Sequence, residues 1–395
     1  MIALEGGNPE RKNFLTFHKY LMDNEEEKEV IDTLRSGWLT LGPRTKKFEE
    51  MFKNFTKTKN AIGTTSCTTA LHLALVTLGV KPGDEVITTT MTFASTVNVI
   101  LHTGAKPVLV DIEPGTMNID AAKIEEKITS KTKAIIPVHL AGHPCDMDQI
   151  IEISRKHNIP IIEDAAHAIE SEYKNKKVGS LSDFAAFSFY STKNITTGEG
   201  GMLTVEDEEH AKKARMLSLH GINSDAWRRY SADGYRHYEI MLPGFNYHMF
   251  DLQAALGIKQ LPKIGDFWQK RKNIFELYQK EFENIPEIIT LEIKKNVKTA
   301  YHLYIIRVRT EKLKADRDKI MNAIQAENIG IGIHYKAIHT HEFYKKILNT
   351  VPGTFPAADY ASERTISLPL YPGMSQDDAM DVVRSTKKVI NHYRK

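Results

Sequence analysis

Between residues 60 and 219, short runs of apolar and β-branched residues alternate with stretches whose apolar positions recur every three to four residues. That alternation predicts an α/β unit, a mostly parallel sheet with helices on its faces. The predicted strands are 60–64, 85–90, 107–112, 133–140, 159–162, 184–190 and 201–205. Helices are predicted between them. In 68–78, Leu71, Ala74, Leu75 and Leu78 fall at i, i+3, i+4 and i+7, which makes one buried stripe. Stretches 146–157 and 206–217 read the same way. Pro82-Gly83 and Pro114-Gly115 are turn signals, and 173–179 reads as a hairpin tip. The lysines in that tip invite a phosphate-binding reading, but charge at a turn is ordinarily just solvated.

After Pro243-Gly244, helices are predicted at 250–261 and 267–282, and the segments 301–309, 317–327, 330–335 and 376–392 alternate strand and helix on a smaller scale. The expected organisation is a large domain, 1–262, and a smaller C-terminal α/β domain, 263–395.

Composition narrows the ligand. The 395 residues carry 53 Lys and Arg against 50 Asp and Glu, a formal charge of +3 with no basic run, so a nucleic-acid partner is not expected. Cys67 and Cys145 are too few for a disulfide framework, and no apolar stretch nears the ~18 residues of a membrane span. The expectation is a cytoplasmic protein, off the membrane, with a small-molecule ligand.

Candidate chemistry concentrates at 187–201. A strand ends near Ser188, Lys193 follows, and a glycine-rich turn leads into the next strand. A lone lysine is ordinarily a surface charge. Held between two core strands, however, its amine would be desolvated, its pKa lowered, and its nucleophilicity raised. Such a lysine can form a Schiff base with pyridoxal phosphate, whose ring nitrogen then needs an acid. Asp164 stands at the carboxyl end of an apolar strand, where open α/β sheets present ligand groups, although it could equally cap the next helix. Its neighbour Glu163 must point to the opposite face. Residues 63–73 run from strand through small hydroxyl residues into a helix, so free amides and the helix dipole converge where a phosphate could sit, or simply cap the helix. No G-x-G-x-x-G follows a strand, which removes the dinucleotide reading.

Together, the runs SGWLTLGP (36–43), PVHLAG (137–142), EDAAHA (163–168), SFYSTKNITTGEGG (188–201), GFNYHM (244–249) and SLPL (367–370) resemble the DegT/DnrJ/EryC1/StrS sugar aminotransferases. These are pyridoxal-phosphate enzymes of fold type I, with a mostly parallel seven-stranded sheet. Segments 163–168, 193–201 and 330–340 most resemble the branch that aminates a UDP-4-keto-pentose for L-arabinosamine synthesis, followed by the bacillosamine, legionaminic and pseudaminic acid enzymes.

The resemblance implies that Lys193 forms the internal aldimine and Asp164 pairs with the pyridine nitrogen. It further implies that Ser188, Thr68 and the amide of Cys67 hold the phosphate, that Phe93 stacks on the ring, and that His167 lies over the ring or near its 3-oxygen. Asn246 would reach the phosphate of a neighbouring subunit, making a homodimer with shared active sites. The implied reaction moves an amino group from L-glutamate, leaving 2-oxoglutarate, to a nucleotide-linked keto sugar at C4, for amino-sugar and lipopolysaccharide or other cell-surface polysaccharide biosynthesis.

Arg228 and Arg229 are candidates for the sugar diphosphate, since guanidinium forks match phosphate oxygens. His334 and Tyr335 are candidates for the sugar pocket. His139, His143, Cys145 and Asp146 have metal-ligand residue types, but pyridoxal chemistry needs no metal and none is expected. The rival readings are a sugar dehydratase of the same family, in which His replaces the lysine, and a nucleotide-sugar-binding regulator without turnover.

Overall fold

The computed structural model describes residues 1–223 and 238–395. Helices α1 (Asn24–Arg35) and α2 (Pro43–Thr56) precede an alternating unit of β1 (Asn60–Thr64), α3 (Cys67–Thr77), β2 (Glu85–Thr89), α4 (Ala94–His102), β3 (Lys106–Val110), β4 (Thr132–Ile136), α5 (Met147–His157) and β5 (Ile162–Asp164). The predicted tip is a real hairpin of β6 (Glu172–Tyr173) and β7 (Lys176–Lys177), turning at Lys174 and Asn175, both at positive φ. β8 (Phe184–Ser188), β9 (Gly201–Val205) and α6 (Glu208–Ser218) follow.

Strands β3, β2 and β4 pair in parallel, as do β5 and β8. Parallel bridges Ile135–Ile161 and Val138–Asp164 join β4 to β5. β9 runs antiparallel between β8 and β1. The spatial order is therefore β3-β2-β4-β5-β8-β9-β1, a mostly parallel seven-stranded sheet. α3 is buried on all sides, with Ala70, Leu71, Leu73, Ala74 and Leu75 fully covered, because it packs against the sheet on one side and against α4 and α6 on the other. An all-round apolar helix is stable only when enclosed in this way.

The chain leaves the sheet through α7 (Asp251–Gln260) and α8 (Ile264–Phe282), then forms β10 (Ile288–Thr290), β11 (Val297–Lys298), β12 (Tyr304–Val308), α9 (Arg317–Ala326), α10 (Glu342–Leu348), α11 (Pro356–Ser362), β13 (Thr365–Leu368) and α12 (Gln376–Tyr393). β10, β12 and β13 make a small antiparallel sheet, while β11 reaches back to pair with β6. Two capped contacts tie the units together. Asp111, just beyond β3, accepts the amides of Ala357 and Ala358 at the start of α11 (3.2 and 2.9 Å), and Tyr344 of α10 donates to Asn98 Oδ1 of α4 at 2.6 Å.

The N-terminal arm packs on the second core. Ile2 and Leu15 join Tyr278, Ile324 and Val383 there. The fully buried Glu327 accepts the amides of Ala3 and Glu10, each at 2.8 Å, and pairs with Lys388 at 2.8 Å. A division of the chain at 262/263 stands as a proposal, with this arm crossing it.

Strand ends differ from expectation for local reasons. β4 stops at Ile136 because Pro137 has no N–H to continue the ladder. The expected strand 330–335 is irregular and makes a single bridge, Gly332 to Ser367, because Gly330 is already bonded to Leu15 of the arm.

Candidate active site

Asp164 ends β5, 4% exposed. Thr96 Oγ1 donates to its Oδ2 at 2.7 Å and the amide of Ala166 to its Oδ1 at 3.2 Å. Burial raises its pKa, and the bonds from Thr96 and Ala166, with the nearby Lys193 charge, oppose that rise. Glu163 does face the other way, into a buried pair with His139 (Oε2 to Nε2, 2.9 Å), as alternation along a strand requires.

Lys193 lies on the loop between β8 and β9. The loop is closed at its base, where Phe189 N donates to Gly200 O and Thr197 N to Phe189 O, both at 2.9 Å. Burial lowers the Lys193 pKa to about 8, with Asp164 pulling the other way. The amine thus has the desolvated character that the sequence suggested.

The candidate phosphate cup follows from the reversed strand. Because β9 runs antiparallel to β8, its first residue, Gly201, sits opposite Ser188. Gly201 also abuts the start of α3 so closely that a Cβ there would lie 2.4 Å from the Ser66 carbonyl carbon and 2.6 Å from the Cys67 nitrogen. Ser66 caps α3, its side chain accepting from the amide of Thr69 at 3.2 Å. That leaves the amides of Cys67 and Thr68, at the first two helical positions, without intrahelical acceptors. Capping and ligand presentation are therefore compatible rather than alternatives. The Cys67 thiol turns inward to Ala186 O (3.5 Å), and burial raises its pKa well above the ordinary value, so the backbone at this position faces the cup.

A cavity of about 40 Å³ opens over Lys193, lined by Phe17, His18, His167, His302, His334 and Tyr335 among others. The amide of Ala141 donates to His167 Nδ1 at 3.3 Å. Nδ1 is thus an acceptor, the ring proton is on Nε2, and Nε2–H donates to the Tyr335 hydroxyl at 3.1 Å. The Tyr335 O–H is left to donate elsewhere. Burial and Lys193 hold His167 well below the usual histidine range and His334 down to about 4. His334 Nδ1 meets Ser367 Oγ at 2.8 Å, and its ring stacks on Phe17 (centroids 5.6 Å apart). Phe93 caps α4 at 61% exposure, its ring 6.2 Å from that of Tyr335, so it is not a core phenylalanine.

Lys193, His167, His334 and Tyr335 thus line one cavity, Asp164 and Cys67 lie within electrostatic reach of Lys193, and Ser188 faces the residue that abuts the start of α3. Asn246 does not join them. It is exposed between half-buried neighbours, its backbone bridged to Leu219, and its side-chain amide makes no hydrogen bond among the described residues. Arg228 and Arg229 lie outside the described residues. His143, beside the His139 pair, turns Nδ1 to Pro144 O and receives the Lys294 amide at Nε2, so the two rings serve separate partners. A larger hollow of about 1170 Å³, lined by Gly42, Ile62, Lys213 and Arg215, contains neither Lys193 nor Asp164.

Sequence reasoning missed Thr96, Asn194, Glu170, His302, Arg271 and the arm residues Phe17 and His18. Asn194 stands beside Lys193 in the same motif, and Thr92 and Thr96 lie four apart across the start of α4, whereas the others are brought in by tertiary contact.

The model of the DegT/DnrJ/EryC1/StrS aminotransferase family matches residues 21–387. The chain is 46% identical over 381 residues to the spore coat polysaccharide biosynthesis protein SpsC of Bacillus subtilis, covering 96% of this chain and 98% of that protein. Among solved structures it is similar to Spr1654 of Streptococcus pneumoniae, assigned as a sugar aminotransferase and determined in its PLP form (TM-score 0.89, 35% identity, 96% and 99% of the two chains). It is also similar to PseC of Helicobacter pylori, an aminotransferase involved in pseudoaminic acid biosynthesis (TM-score 0.89, 30% identity, 97% and 100%). The architecture is accordingly fold type I, and the chain belongs to the DegT/DnrJ/EryC1/StrS aminotransferase family.

Proposed function

We propose that this protein uses pyridoxal phosphate to transfer an amino group from L-glutamate to the C4 keto group of a UDP-linked sugar, in amino-sugar biosynthesis for a cell-surface polysaccharide. The observation that carries the reading is the convergence of a desolvated amine, Lys193, and a buried carboxylate, Asp164, beside two unpaired helix amides and the Ser188 hydroxyl. That donor set fits the cofactor. A carboxylate covered by one hydroxyl and one amide has spare acceptor capacity for a ring N–H. A helix N-terminus beside a serine suits a phosphate dianion.

When bound, pyridoxal phosphate supplies the electron sink that acidifies the carbon bearing the amino group. Lys193 would hold the cofactor through Nζ, and its amine would act as base toward the proton on the donor's α-carbon and as acid toward the sugar carbon that receives the amino group. Asp164 keeps the ring nitrogen protonated, which favours the negative charge built up during proton removal. Phe93 would cover the ring and His167 would lie over it, its two nitrogens held by Ala141 and Tyr335, which leaves the Tyr335 O–H to donate to the ring's oxygen-bearing edge. Asn246, exposed on this chain, would serve the cup of a second copy, so that the working unit is a homodimer with shared sites, acting in the cytoplasm. His334, Arg228 and Arg229 are the candidate contacts to the nucleotide sugar.

The test is purified protein incubated with glutamate and a panel of UDP-, dTDP- and GDP-4-keto sugars, products identified by mass and NMR. Amination of the UDP sugars at C4 is expected, and Lys193→Ala should lose turnover and the visible absorbance of the bound cofactor together. Turnover by Lys193→Ala would overturn the assignment. The dehydratase alternative is disfavoured by Lys193 itself, since those relatives carry His there.

A further inference from the structure

Behind Lys193 lies a buried polar chain that the proposed mechanism leaves unused. Asn194, the next residue, sends its amide nitrogen to both carboxylate oxygens of Glu170 (2.9 and 2.8 Å) and to Ala300 O (2.8 Å). An amide nitrogen has two hydrogens, so its donors are fully committed and its oxygen is fixed in the opposite direction. That oxygen meets His302 Nδ1 at 2.8 Å. Asn194 Oδ1 can only accept, so the His302 proton is on Nδ1 and Nε2 is left with its lone pair. The His302 ring lines the cavity over Lys193 and packs on His167, centroids 4.3 Å apart.

Both Glu170 oxygens face the Asn194 nitrogen, so a glutamine there would turn its own N–H2 group toward that donor, and only the acid presents acceptors on both sides. A buried carboxylate is costly unless it is compensated. Glu170 is 3% exposed, and burial raises its pKa to about 7. Its compensation comes from Asn194 and from the field of Arg271, itself 1% exposed with Nε and one terminal nitrogen unpartnered.

We propose that Glu170 is a positioning residue for transamination: through Asn194 it anchors the backbone carrying Lys193 and presents His302 Nε2 as a hydrogen-bond acceptor to the amine in the cavity. This rests on the reading of Lys193 as the reacting amine.

The test compares wild type, Glu170→Gln, Asn194→Ala, the double variant and Lys193→Ala, all loaded with cofactor. Activity is measured with L-glutamate or L-glutamine, whichever the wild type accepts, and a UDP-4-keto sugar. Cofactor content is measured for each, and the His302 tautomer is read from imidazole nitrogen NMR of the wild type. Glu170→Gln is expected to bind a full complement of cofactor, lose tenfold or more in kcat, and change KM for the amino donor less than twofold. The double variant should lose no more than the worse single variant, as residues acting in one chain do. A kcat within twofold of wild type, losses that multiply, or a loss matched by lost cofactor would overturn the proposal. Should Glu170→Gln fail to fold, the NMR still decides, since a proton on His302 Nε2 would refute it. Turnover by Lys193→Ala instead brings down the underlying reading. A silent Lys193→Ala beside a normal Glu170→Gln brings down this inference alone.

Discussion

Thr96 Oγ1 donates to Asp164 Oδ2 at 2.7 Å, and because its one proton is spent there, it must accept from Thr92 Oγ1, also at 2.7 Å. Two hydroxyls thus aim a carboxylate that burial alone would leave under-bonded. Thr96→Val keeps the shape and removes the middle of the chain. It should cost about 1–3 kcal/mol of stability, the price of unpaired buried polar groups. Urea denaturation measures that loss, and weaker cofactor retention on dialysis should accompany it.

Asp164→Asn is nearly isosteric but cannot hold a positive N–H against a full negative charge. The variant should fold and bind cofactor while kcat falls about 100-fold or more, the scale seen when a preorganised electrostatic partner is lost. Steady-state kinetics beside a cofactor assay checks it. A kcat within fivefold of wild type would remove Asp164 from the chemistry.

Lys193 offers a pH signature. Its folded pKa of about 8 lies below the ordinary 10.5, so the unfolded chain holds this proton over a window in which the folded chain has released it. Stability of the cofactor-free protein should therefore rise with pH between about 8 and 10.5 through this group, and Lys193→Met should remove that contribution. Capture of added pyridoxal phosphate by the cofactor-free protein should be half-maximal near pH 8 in stopped-flow absorbance, not near 10.5.

Gly201→Ala should be the most damaging single methyl in the cup. The added carbon would press on the Ser66–Cys67 backbone at 2.4–2.6 Å, and neither α3 nor β9 can give way alone. Overpacking of this kind costs about 1–3 kcal/mol or more. The specific readout is cofactor affinity, expected to fall at least tenfold in an equilibrium titration.

Sequence patterning located β1 and β9 to the residue, because each is bounded by residues that stop a strand. It misplaced β5, predicted at 159–162 and found at Ile162–Asp164, since an unbroken apolar run carries no register. It passed over α1 and α2, whose apolar positions are sparse: Ile31 and Leu34 of α1 are exposed. At the site, Lys193, Asp164 and Ser188 were legible because each closes or follows a strand in one continuous segment. His302 and Glu170 were not, since a histidine 108 residues from Asn194 declares its partner only after folding.

The reversal of β9 has a kinetic meaning. In a purely parallel sheet, a chain leaving the carboxyl edge must carry a helix back across the sheet before rejoining it, whereas here the loop 189–200 returns the chain along its own neighbour. The Lys193 loop therefore closes on itself between Phe189 and Gly200, and a loop that short costs little chain entropy. The amine's own scaffold is thus a hairpin local in sequence. Asp164 and the start of α3 come from distant parts of the chain, so the site is complete only when the slowest, long-range contacts have formed around it.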